Sequence, residues 1–221
     1  MPSPSQDEIR RRNNPKLRSE PSKSERTRQA ILDAALEYLW SHPFRDLTIS
    51  ELMSQTEVTR ATFYRYFSDL HELLEHLLNE LESAILEVSQ PWITGEGQGA
   101  IQLAESLSSL VKVFYQRGPI VRSFVEAAPL DERLEQSWDR VVGGFDDLVT
   151  ACIEREQAAG LVPEFDARQV AIALNRMNIG IFAHHFGRRP RSNPAPVYCA
   201  MARLWISTIY GQEALEQVQD L

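Results

Sequence analysis

The nine residues TRATFYRYF, from Thr59 to Phe67, place two arginines, two threonine hydroxyls and four aromatic rings side by side. A segment buried in a core does not spread cationic charge this way, and an exposed loop does not carry four rings. At helical spacing Thr59, Thr62 and Tyr66 share one face, while Phe63 and Phe67, at i and i+4, can anchor elsewhere on the body. The pattern asks for a helix gripped by its phenylalanines that presents polar groups outward.

The flanking residues extend this reading. Thr48-Ile49-Ser50-Glu51 is a capping box that opens a short helix through about Ser54, and a turn then leads to Val58 or Thr59. Upstream, Ser22 to Glu25 forms another capping box before the helical stripe Ile31, Ala34, Ala35, Tyr38 and Leu39, which Pro43 closes. Downstream, Asp69 and Glu72 start a long helix with the stripe Leu70, Leu73, Leu74, Leu77, Leu78, Leu81 and Ile85. Two short helices separated by a turn, after a longer one, make a helix-turn-helix, whose second helix lies in a DNA major groove. The hydroxyls of Thr48, Thr59, Thr62, Tyr64 and Tyr66 suit phosphate oxygens, and Arg60 near the helix start can fork onto guanine O6 and N7. Ser50 and Arg65 complete the candidate DNA-binding set.

At T-I-x-E-L followed by V-T-R-A-T-F-Y-R-Y-F, the chain resembles the TetR family of bacterial one-component repressors. The resemblance implies that Arg60, Thr62, Tyr64 and Tyr66 touch DNA and that Phe63 and Phe67 hold the small domain together. Two positions depart from the family pattern. Glu57 stands where the turn usually has glycine, and a left-handed backbone there would cost on the order of 1 kcal/mol. Leu70 stands where a lysine usually reaches a phosphate, leaving the N-terminal arm as the candidate replacement.

Charge is divided along the 221 residues. The net charge of −8 hides a near-neutral first part: residues 1 to 70 carry 11 Lys and Arg against 10 Asp and Glu, leaving 12 against 21 for the remainder. The first 28 residues hold 8 basic and 4 acidic side chains with four prolines, the composition of a disordered basic arm, assigned to residues 1–23. That arm is either a solvated tail or a backbone contact for nucleic acid. No apolar run approaches the roughly 18 residues of a membrane span and no apolar block in the first 20 suits a signal peptide, so a cytoplasmic protein without a membrane partner is expected. Cys152 and Cys199 lack metal or redox spacing and are expected as small buried hydrophobes.

Pro91, Gly95, Gly97 and Gly99 interrupt the helical register, which sets a boundary near Gln90. The expected organisation is a helix-turn-helix domain at 24–70, a connecting helix at 71–88 and a further domain at 89–221, which the family resemblance implies is ligand-binding and dimerising. In the last of these, Leu103 to Phe114 reads as a helix stopped by Gly118-Pro119, with a short helix over Ile120 to Ala127. A long helix follows from Leu134 to Ile153, another covers 166–187, and the last runs from about Pro196 to Gly211. With no strand alternation the fold class is all α, with about nine helices.

Asn178 falls inside the apolar stripe of Leu174, Ile181 and His185, with Asn175 at its margin. Such an amide is either bonded internally or serves as a polar handle in an apolar tunnel. The segments A-L-N-R-M-N and L-W-I-S-T-I-Y-G resemble the EthR-like group of the TetR family. By position this resemblance implies a narrow hydrophobic channel touched by Leu110, Phe114, Trp138, Phe145, Asn175, Asn178 and Trp205. The last helix is apolar on two sides, Val197, Met201, Leu204, Trp205 and Thr208 on one and Cys199, Ala202, Ile206 and Ile209 on the other. Burial of both sides predicts a homodimer through the last two helices, hence a roughly palindromic operator.

The partners expected are therefore double-stranded operator DNA, a hydrophobic small-molecule effector and a second copy of the chain. No cofactor is expected: His184 and His185 point to different helix faces with no further ligand at metal spacing, and neither a phosphate-cradling glycine loop nor a nucleophile elbow is present. The competing readings are a helical enzyme or carrier for a lipid-like molecule with an incidental basic segment, and an architectural DNA-binding protein with a vestigial pocket.

Overall fold

The structure is a computed structural model that describes residues 22–95 and 98–219. Among these residues the chain is helical throughout, with no strand. The α-helices are α1 (Lys23–Leu39), α2 (Ile49–Ser54), α3 (Arg60–Tyr66), α4 (Leu70–Thr94), α5 (Gly99–Ala127), α6 (Glu132–Ala158), α7 (Ala167–Phe186), α8 (Pro194–Ile209) and α9 (Gln212–Gln219). The basic arm expected over 1–23 lies, except for Ser22 and Lys23, outside the described residues.

Local capping chemistry fixes where the first four helices begin. Ser22 and Glu25 form a full capping box, the Glu25 amide donating to Ser22 Oγ at 3.1 Å and the Ser22 amide to Glu25 Oε2 at 2.7 Å. Thr48, Thr59 and Asp69 cap α2, α3 and α4 by accepting from the amide three residues on. Burial works against the Asp69 carboxylate, but the Glu72 amide and the Arg133 guanidinium outweigh it and hold its pKa below the usual range. The first three helices then close around Ile31, Leu32, Leu39, Leu52, Phe63 and Phe67, all fully or almost fully buried. The leucine stripe of α4 continues this core into the rest of the chain.

Three boundaries differ from the sequence reading. Helix α4 passes through Pro91 and ends at Thr94. Pro91 and Glu87 are both exposed, so water can serve the Glu87 carbonyl that the proline leaves without a helical donor. Gly95 caps the helix in the left-handed region at φ 70°, and Arg155 donates to the carbonyls of Trp92 at 3.1 Å and Ile93 at 2.7 Å. Helix α5 is one element through Gly118 and Pro119 where two were expected. Pro119 has no N–H for the Tyr115 carbonyl, and Arg191 supplies the missing donor, its Nη1 lying 2.6 Å from Tyr115 O. The last of the three is at the C-terminal end, where α8 starts at Pro194, stops at Ile209 and is followed, after Gly211, by the unforeseen α9, which buries Leu215.

Helix α5 is the axis of the larger part, packing against α4, α7, α8 and α9. It also reaches α1, where the buried Arg122 donates through Nη2 to the carbonyls of Leu39 at 2.5 Å and His42 at 2.7 Å. The α7–α8 loop grips the same place: Arg189 donates to the Glu37 carboxylate, and the guanidinium groups of Arg189 and Arg191 lie 5.1 and 5.0 Å from the Trp40 ring centroid.

Both apolar sides of α8 are largely covered within one chain. Val197, Met201 and Trp205 are buried, and so are Ala202, Ile206 and Ile209, because α5 and α9 share the work of α7. Leu204, Thr208 and Cys199 remain exposed. The expectation of buried cysteines therefore holds for Cys152 and is corrected for Cys199, which lies on the outer face of α8.

At Gly118 helix α5 passes tightly against the end of α7, since a Cβ there would sit on the carbonyl oxygen of Phe186 and within 2.9 Å of its Cβ. Backbone cannot yield as a side-chain tip can. Gly118→Ala is expected to destabilise the fold by about 1–3 kcal/mol, read as a lower denaturation midpoint at unchanged slope.

Candidate nucleic-acid interface and ligand cavity

Helix α3 exposes Arg60, Tyr64 and Arg65 and buries Phe63 completely. Phe63 packs 5.7 Å from Phe67, whose ring lies 5.4 Å from His76 on α4 and beneath Arg28 of α1 at 5.5 Å. The two phenylalanines thus fix both the depth and the rotation of α3. Arg60 leans over the exposed Tyr64 ring at 6.0 Å.

The candidate hydroxyls already work locally. Thr59 Oγ1 accepts from the Thr62 amide at 3.2 Å and pairs with Thr62 Oγ1 at 2.9 Å, while Thr48 Oγ1 accepts from the Glu51 amide at 3.1 Å. A hydroxyl that accepts from an amide keeps its own proton to donate, although in the Thr59–Thr62 pair one of the two protons is already given to the other oxygen. Ser50 is exposed beside Thr48 on the first turn of α2. Tyr66 is half-buried, with its hydroxyl 3.1 Å from Ser24 Oγ on α1, so of the three residues expected on one face it is the one tied to the body.

The turn between α2 and α3 is built without left-handed backbone. Among the described residues no residue other than glycine has a positive φ, so Glu57 carries no such strain. Thr56 makes the turn instead: its Oγ1 donates to the Met53 carbonyl at 3.2 Å and accepts from the Val58 amide at 3.2 Å. Leu70 starts α4 and packs against the core, with no cation in the place of the lysine.

In the larger part, α4, α5, α6, α7 and α8 enclose a cavity of about 110 Å³. All seven residues expected at channel positions, Leu110, Phe114, Trp138, Phe145, Asn175, Asn178 and Trp205, line it. The wall also contains residues that sequence reasoning did not single out as lining, among them Leu107, Val121, Phe182, Ser106 and Trp92. Helical phase with Leu103 and Leu110 was an available signal for Leu107 and Ser106. Trp92 was hidden by the boundary placed near Gln90.

Both asparagines have partners. Trp205 Nε1 donates to Asn178 Oδ1 at 2.9 Å, which orients the carboxamide with its NH2 away from the indole. Asn175 Nδ2 donates to Asp146 Oδ1 at 2.9 Å, and Arg176 grips the same buried carboxylate through both oxygens at 3.2 and 2.9 Å. Trp92 stands edge-on to Trp205 at 6.1 Å and donates to Tyr210 Oη at 2.8 Å; burial pushes the Tyr210 phenol pKa upward. Two tryptophans in ring contact, each with its own hydrogen bond, thus link the cavity to the C-terminal end of α4. Among the described residues no group of three or more His, Cys, Asp or Glu side chains is placed to hold a metal, and no helix is long and apolar enough to cross a membrane.

A small helical head with an outward reading helix, joined through α4 to a helical body around an apolar cavity, defines a helix-turn-helix regulator. Residues 31–77 match the family "Bacterial regulatory proteins, tetR family", and residues 103–211 match "Transcriptional regulator EthR, C-terminal domain". The chain belongs to the TetR family and carries an EthR-type C-terminal domain. It is 24% identical over 189 residues to the HTH-type transcriptional regulator EthR of Mycobacterium tuberculosis, covering 83% of this chain and 87% of that one. Its fold is similar to that of a TetR-family regulator from Syntrophomonas wolfei, with a TM-score of 0.72 at 16% identity over 85% of this chain and 96% of that one. It is similar also to GusR of Salmonella enterica, with a TM-score of 0.70 at 16% identity over 88% and 100%. The matched families and relatives are transcriptional regulators rather than enzymes.

Proposed function

We propose that the protein is a cytoplasmic, ligand-responsive transcriptional repressor: a homodimer binds a palindromic operator through α2 and α3, and a hydrophobic effector in the body releases it. The observation that carries this reading is the span of α4. Its first turn follows α3 directly, and its later turns, from Leu78 to Ile93, form one wall of the cavity. An effector that displaces that wall moves the reading head with it.

In this reading Arg60 contacts bases, and Thr48, Ser50, Thr59, Thr62, Tyr64, Arg65 and Tyr66 contact phosphates or neighbouring base edges. The seven expected channel residues contact the effector. The two copies pair through α7 and α8, whose outer faces carry Ala173, Gly180, Cys199 and Leu204; open space around Gly180 supports close approach of a second helix.

Operator affinity measured by electrophoretic shift on the upstream region of its own gene is expected to fall steeply with salt, log K dropping by roughly 0.9 per phosphate neutralised for each unit of log salt. A lipid carrier with an incidental basic segment would give a flat titration. Saturating hydrophobic extract is expected to weaken operator binding, and operator to weaken extract binding by the same factor. Unchanged affinity at saturation would refute the release step.

A further inference from the structure

Ser106 is 4% exposed, lines the cavity, and its Oγ has no hydrogen-bond partner. A serine inside a helix normally has an easy solution, donating to the carbonyl four residues back. This chain uses it repeatedly: Ser83 Oγ donates to Asn79 O at 2.9 Å, Ser123 Oγ to Pro119 O at 2.8 Å and Ser207 Oγ to Arg203 O at 2.6 Å. Ser106 does not take that option and keeps a hydroxyl with no protein partner in the stretch of lining that also holds Leu103, Leu107 and Leu110. The charge of the lining is just as informative. Its described residues include no Lys, Arg or His, and the one carboxylate, Glu82, is ion-paired with Arg140 at 3.2 Å. A ligand carboxylate would lose its hydration on entry with no cation in the lining to receive it.

We propose that Ser106 is a ligand-anchoring and specificity-determining residue, and that the cavity selects uncharged molecules carrying a hydrogen-bonding oxygen on an apolar body while rejecting carboxylates. This rests on the reading of the cavity as an effector site and names the class of effector. The Ser106 hydroxyl both donates and accepts, so an alcohol, ketone, ester or amide oxygen satisfies it, and an alkyl chain fills the apolar wall.

The test uses 1-octanol, 1-chlorooctane and octanoate at pH 8 on the full chain and on Ser106→Ala. Trp92, Trp138 and Trp205 all line the cavity, so tryptophan emission reports occupancy. Ser106→Ala is expected to weaken 1-octanol about fivefold or more while leaving 1-chlorooctane unchanged. Octanoate is expected to bind at least about 100-fold more weakly than 1-octanol. The empty Ser106→Ala protein is expected to melt no lower than the wild type, because its hydroxyl has no bond to lose. Equal 1-octanol affinity in the two proteins, octanoate binding as tight as 1-octanol, or a lower melting point for empty Ser106→Ala would each overturn the proposal. If none of the three probes alters tryptophan emission, the effector-site reading falls as well, an outcome distinct from probes that bind without discrimination.

Discussion

Phe63→Ala is expected to cost about 3–5 kcal/mol and to unfold the head before the body. Phe63 is 0% exposed and is the single buried residue of α3. A helix of seven residues has no stability of its own in water; what holds α3 is the ring beneath it. Removing that ring leaves Phe67 and Leu52 facing a void that the short α2 cannot collapse to fill. Chemical denaturation followed by circular dichroism should then give an early transition, with loss of amide protection in α2 and α3 while α5 to α8 stay protected. A single transition at the wild-type midpoint would show that α3 is held by something other than this core.

Arg60→Ala combined with Tyr64→Ala is expected to leave the fold intact and to remove sequence-specific DNA binding. Tyr64 is 49% exposed, and the Arg60 guanidinium rests over its ring on the outer side of α3. Arg60 lies off the core and Tyr64 meets it only through an edge-on contact with Phe63 at 5.5 Å, so the loss should stay near ~1 kcal/mol and the melting temperature within about 4 °C of wild type. A bidentate arginine–guanine pair is worth about 1–3 kcal/mol, so with the tyrosine removed as well operator affinity should fall by about 100-fold or more. Residual binding should be indifferent to sequence. A footprint as strong as that of the wild type would remove α3 from the reading role.

The parts of this fold that are legible in the sequence are those governed by neighbours a few residues away. Ser22, Thr48, Thr59 and Asp69 stand where a side-chain oxygen meets an amide three residues on, and each caps a helix. The buried leucines of α4 follow from spacing alone. The cavity lining could be placed by resemblance because helical phase carries Leu110 and Phe114, or Asn175 and Asn178, to the same wall once one of them is fixed.

What could not be read depends on distant residues. Pro119 looks like a stop until Arg191, far along the chain, serves the Tyr115 carbonyl. Glu57 looks strained until Thr56 is seen to make the turn. The cover that α5 and α9 give to most of the two apolar sides of α8, leaving Cys199, Leu204 and Thr208 outside, is likewise set by distant residues. Arg122, buried and aimed at the end of α1, reads in sequence as one more charged residue in an apolar helix.

The join between Arg191 and Tyr115 makes the continuity of α5 conditional on a side chain from another segment. The same guanidinium lies on the face of Trp40 at the foot of the head and 3.9 Å from the Tyr115 ring centroid, one residue from Phe114 in the cavity wall. A shift of the α7–α8 loop is therefore registered in two places at once, as a slackened joint inside α5 and as a freed indole under α1. One planar cation thus ties the interior of the body to the foot of the head.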